Sequence, residues 1–124
     1  MRTLLSILIL VTEPLAGVQA ADRVFRLAEL GSSPATLEYT REVTVPELAK
    51  LGFRVGGNLV LDERTGDANV IDALAKELVQ LKPDAIIALG GDAVRAALEA
   101  TSSIPIVVFG SLPRGEAAPN EVIE

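Results

Sequence analysis

The sequence has no cysteine and no histidine, and those two absences remove several chemistries together. Without cysteine there is no disulfide framework and no thiolate nucleophile. Without histidine there is no imidazole base, no Ser-His-Asp triad and no Cys/His zinc cluster. Carboxylates, lysines and hydroxyls are what remains for catalysis, so the chain leans towards binding and away from enzyme chemistry. A basic stripe is missing too. The net charge is −6 and the 11 Lys and Arg are scattered singly, which argues against a nucleic-acid surface. No cofactor and no metal are expected.

What is present is apolar residue in quantity. At 124 residues and 49% hydrophobic, the chain can build the core of one modest domain, and disorder is excluded on composition. The first twenty residues stand apart from that domain. A single arginine, Arg2, precedes the apolar run 4–11; Pro14 follows, and Val18-Gln19-Ala20 sets small residues before a cut after Ala20. This is the layout of a secretory signal peptide, and the run is short for a bilayer span. The product expected is soluble and periplasmic. The competing reading is a buried first strand of a cytosolic domain.

The run 85–98 is the most informative. Ala85-Ile86-Ile87-Ala88-Leu89 is wholly apolar, as suits a parallel strand covered on both faces. Gly90-Gly91 then turns the chain into a helix opening on Asp92. Strands are also expected at 23–30, 59–62 and 104–109. Gly31-Ser32-Ser33-Pro34 ends the first. A helical stretch at 37–51 is interrupted by Pro46, and Thr44-Val45-Pro46-Glu47 has capping-box spacing that favours a fresh start there. Asp67 is a natural N-cap for a helix whose apolar face is Val70, Ile71, Leu74, Leu78 and Leu81. Lys82-Pro83-Asp84 stops it. Residues 110–124 show no apolar period and read as a loop or irregular tail.

Alternating strands and helices imply an α/β fold with right-handed crossovers. The simplest form is an open, doubly wound parallel sheet in the order 2-1-3-4. The winding reverses between the first and third strands, so a crevice is expected at their carboxyl ends, between Gly31-Ser32-Ser33 and Gly90-Gly91-Asp92-Ala93.

The order of segments resembles a known family. Gly52-Phe53-Arg54-Val55-Gly56-Gly57-Asn58, continuing to Arg64, is similar to the GYxxGxNxxxxxR stretch of bacterial ABC-transporter substrate-binding proteins related to the tryptophan and tyrosine receptors. Leu74-Ala75-Lys76-Glu77-Leu78-Val79, Lys82-Pro83-Asp84-Ala85-Ile86-Ile87-Ala88 and Ala100-Thr101-Ser102-Ser103-Ile104-Pro105-Ile106-Val107-Val108 continue the likeness. The resemblance implies an incomplete lobe of a type I periplasmic binding protein: 1–20 a signal peptide, 21–113 a partial N-terminal lobe, 114–124 an irregular tail. It further implies a small amino-acid-like or organic solute and an ABC permease as partners, with the membrane met only through the permease. Gly110-Ser111-Leu112-Pro113 departs from the family by placing leucine where an aspartate is usual, as expected of a truncated relative or an altered reading frame.

The ligand contacts expected are Gly31, Ser32, Ser33, Gly90, Gly91, Asp92, Ala93, Gly110 and Ser111. Each has an ordinary structural account beside it. The serines suit a turn, and the glycines with Asp92 suit a tight strand-to-helix joint. Arg64 is either at the cleft mouth or paired at the surface. Gly90-Gly91-Asp92 also begins the GGDGT signature of some lipid and dinucleotide kinases, but Ala93 and Val94 stand in place of its Gly and Thr. A flavodoxin-like interaction domain without a pocket is the alternative from another class.

Overall fold

The computed structural model describes residues 23–109 and the backbone of Val122–Ile123. Strand β1 runs Phe25–Gly31, β2 Leu59–Thr65, β3 Ala85–Leu89, β4 Ile106–Phe109 and β5 Val122–Ile123. They form one sheet in the order β2-β1-β3-β4-β5, and every pairing is parallel. The expected order 2-1-3-4 is therefore present. The segment read as a tail adds two residues, β5, at the edge beyond β4. The rest of it lies outside the described residues, as does the leader at 1–20.

Helices cover the sheet unequally. On one face α3 (Ile71–Gln80) and α4 (Gly91–Ala100) pack over Ala28, Leu30, Ile86, Ala88, Ile106 and Val108. Ile71, Ala75 and Leu78 of α3 and Ala93, Val94, Ala96 and Ala97 of α4 meet those strand residues, and this is the core. Small alanines on α4 let it lie close to the sheet. Val70, expected on the core stripe, is exposed instead. It precedes the first helical residue, so the helical period does not carry it inward, and Ala75 takes the buried position.

Two expected caps are replaced. Asp67 does not cap α3; its side chain accepts from the Asn69 N–H at 2.9 Å, and its carbonyl accepts from Val70 and Ile71. The aspartate thus closes a turn that leads into the helix. Asp92 sits in the first turn of α4 without a side-chain cap bond, and Gly90 is the N-cap. Lys82 takes a left-handed φ of 55° and ends α3 before Pro83, where the sequence places the stop.

The other face carries α1 (Pro34–Tyr39) and α2 (Val45–Lys50), joined by a π-helical turn at Thr40–Thr44. The expected fresh start at Thr44 does not occur: Thr44 is helical, with φ −68° and ψ −46°, and makes no side-chain cap bond. The chain stays helical through Pro46 because the turn widens ahead of it. The Val45 N–H reaches back five residues to the Thr40 carbonyl, which makes room where a proline ring would otherwise crowd an α-turn.

Candidate solute-binding site

The carboxyl ends of β1, β3 and β4 meet. Gly31 pairs with Leu89 in the register of β1 and β3. One residue on, the Ser32 N–H and hydroxyl both donate to the Leu89 carbonyl, at 3.2 and 3.4 Å. The Gly90 N–H donates to the Phe109 carbonyl at 3.1 Å. Three strand ends are tied in a row, at the point where the winding reverses.

Two glycines allow that closeness. Gly90 has φ +96°, a conformation that side chains rarely adopt, and a Cβ built on it would collide with the Ser32 hydroxyl. A Cβ on Gly31 would collide with the Thr36 hydroxyl. Thr36 folds back at this place, its Oγ1 donating to the Ser33 carbonyl at 2.5 Å and its N–H to the same oxygen at 3.1 Å. The start of α1 is thereby fixed against the strand ends, with Pro34 in its first turn.

Above these ties lies a hollow of about 350 Å³ lined by Ala35, Thr36, Tyr39, Leu89, Gly90 and Phe109. That volume is at the small end of the range for small-molecule pockets. Tyr39 and Phe109 form its aromatic rim, their ring centroids 5.8 Å apart with planes tilted by 60°. The wall is almost entirely apolar, and the Thr36 hydroxyl is already committed to the Ser33 carbonyl.

Of the residues the sequence nominates, Gly90 lines the hollow directly. Ser32 abuts Gly90, and Ser33 holds the first turn of α1. Gly31 is buried beneath. Gly91 and Asp92 are exposed in the first turn of α4 and are not among the residues that line the hollow, whereas the Ala93 methyl is packed into the core. Gly110 and Ser111 lie outside the described residues. Arg64 donates to the Glu63 carbonyl at 2.9 Å and pairs with Glu77 of α3 at 3.4 Å, the paired-surface arrangement. Among the described residues, no group of three or more acidic side chains is placed to hold a metal.

Sequence reasoning missed Ala35, Thr36, Tyr39, Leu89 and Phe109. A signal for two of them existed: the chain has one tyrosine and three phenylalanines, and half of these four stand at this edge. The other two, Phe25 and Phe53, pack edge-on at 5.3 Å at the opposite end of the sheet. They help line a smaller apolar groove of about 160 Å³ there. The Asn58 side chain bonds Arg54 N–H and the Gly52 carbonyl, so the Gly52-to-Asn58 stretch is a tied turn at that base, far along the strands from the hollow.

Two solved structures share the architecture. A conserved domain protein from Vibrio cholerae O1 biovar El Tor str. N16961 is similar at 26% identity with a TM-score of 0.64, over 69% of this chain and 30% of that one. A substrate binding protein with adhesive properties from Clostridium difficile, in its ligand-free, open structure, is similar at 28% identity and 0.62, over 68% of this chain and 30% of that one. The chain matches 30% of the length of each. No protein-family model and no curated protein matches it. The parallel α/β sheet is thus of the substrate-binding-protein kind.

Proposed function

We propose that this chain is a solute-binding component of an ABC transporter, or a part of one, and that it takes a small amino-acid-like or organic solute at the hollow above β1, β3 and β4. The observation that carries the reading is the junction of Ser32, Gly90 and Phe109, a gathering of loop backbone at the switch point of an open sheet. The similarity to a substrate binding protein supports it. Exposed Asp92 suits an ammonium group at the rim, and the apolar wall suits the solute's carbon skeleton.

One lobe offers one wall. Small ligands need most of their surface buried for useful affinity, so the chain by itself binds weakly, with Kd above roughly 100 µM. Isothermal titration against a panel of amino acids and small organic acids tests this. Micromolar binding by the isolated chain would contradict the half-pocket account. Export through residues 1–20, a cut after Ala20, a periplasmic location and a permease partner belong to the same proposal. Mass spectrometry of the exported form checks the cut.

A further inference from the structure

The face that carries the helical segment 34–50 holds a polar feature that the hollow does not use. Glu29, in the middle of β1, is fully buried at 0% exposure. Its register partners are Glu63 on β2 and Ile87 on β3. From the helical side, the Thr40 hydroxyl donates to Glu29 Oε1 at 2.6 Å. Arg41, the cation facing the pair, donates to Glu63 Oε1 at 3.2 Å. What is left is one buried, unpartnered oxygen on each carboxyl: Glu29 Oε2 and Glu63 Oε2.

A buried acceptor without a donor is costly, and a second carboxylate beside it makes ionisation costlier. A proton on Glu29 eases both problems, since it removes one of the two charges and leaves its orphan oxygen no longer a bare buried acceptor. The helical turn that delivers Thr40 is the π-helical one, a geometry that recurs where a helix is shaped by a local demand.

We propose that Glu29 carries a proton in the folded protein, and that losing it as pH rises loosens the seating of segment 34–50 on the sheet. Burial pushes the Glu29 carboxyl up from its ordinary 4.5 to about 7; the Thr40 bond opposes this, Glu63 adds to it and Arg41 subtracts. A carboxyl held high in the folded state binds a proton that the unfolded chain has already released. Stability therefore falls as pH climbs from about 4.5 to 7 and levels off above. Ala35, Thr36 and Tyr39 of the hollow ride on this segment, so the proton reaches the solute site mechanically. The proton site itself stands whatever the hollow binds.

The sequence makes the test clean. With no histidine and no cysteine, no side chain at its ordinary pKa has its midpoint between pH 5 and 8. On the full chain, an infrared band of a protonated carboxyl that Glu29→Gln removes is expected at pH 6, with its loss by pH 8.5. A band at pH 6 that is the same in the two proteins would overturn the proposal. Urea unfolding should give a folding constant that drops roughly 50- to 100-fold between pH 5 and 8, and Glu29→Gln should flatten that slope. A slope that persists in Glu29→Gln would assign the proton elsewhere. Glu63→Gln, which removes the neighbouring charge that raises the Glu29 carboxyl, should move the transition to lower pH, and an unmoved midpoint would contradict the coupling of the two positions. Hydrogen exchange in segment 34–50 should accelerate at pH 8 beyond the intrinsic rate while α3 and α4 stay protected. Equal protection at both pH values would overturn the mechanical link.

Discussion

The two faces of the sheet do different work. Beneath α3 and α4, the strand residues Ala28, Leu30, Ile86, Ala88, Ile106 and Val108 are all apolar and buried. On the opposite face, β1 presents Leu27, Glu29 and Gly31, β2 presents Leu61 and Glu63, and β3 adds the buried Ile87 and Leu89, with a π-helical turn in the covering segment 34–50. Tyr39, Val43 and Phe109 are exposed on or beside that second face. Stability is concentrated on the first face. The irregular features, and the hollow, gather on the second. Sites that bind or respond are drawn from the less tightly packed parts of a fold, and this chain separates the two roles across one sheet.

The sharpest way to break the comparison is to empty the first face. Leu30→Ala removes a side chain at 0% exposure and should cost about 2–5 kcal/mol, read as a lower urea midpoint or loss of folding. A change under 1 kcal/mol would mean the core lies elsewhere. On the second face, Glu29→Gln should act in the opposite direction and only at higher pH. Relative to the wild type it should be roughly 2–3 kcal/mol more stabilising at pH 8 than at pH 5, because the raised carboxyl of the wild type is ionised at pH 8 and mostly protonated at pH 5. Equal effects at the two pH values would remove the titration from the account.

Gly90→Ala tests the joint between the faces. The positive φ and the collision with Ser32 should cost about 1–3 kcal/mol and displace the Ser32 hydroxyl from the Leu89 carbonyl, visible as a shifted Ser32 amide resonance. The smallest effect is expected at the exposed Lys50–Glu47 pair, 2.7 Å apart with both side chains more than half exposed. Lys50→Ala should change stability by less than about 0.5 kcal/mol. A larger loss would show that the end of α2 matters to the second face more than its exposure suggests.

The first face was the legible one. Apolar runs at 85–89 and 104–109 announce buried strands, and Gly90 after the first of them announces where the chain turns, so strand order and switch point follow from local pattern. The second face was not. Pro46 reads as a break, and only a widened turn several residues earlier makes it compatible with continuous helix. Glu29 looks like one polar residue in an alternating strand; its burial depends on Thr40 above it and on Glu63, distant in sequence. Ala35 and Thr36 line the hollow because α1 leans over the strand ends, a tertiary fact with no local signature; for Tyr39 the scarcity of aromatics was the one hint. Val70 shows the reverse error: it has an apolar side chain at the right spacing, and the helix begins one residue too late to bury it.

The claim on which the functional reading depends is that the hollow at the carboxyl ends of β1, β3 and β4 is where solute is held. Amide and aromatic NMR shifts of the full chain, recorded during titration with millimolar amino acids and small organic acids, test it directly. For at least one class of solute, shifts should concentrate on Ser32, Thr36, Tyr39, Gly90 and Phe109. Shifts centred on Phe25 and Phe53 at the opposite end of the sheet, or none across the whole panel, would contradict it.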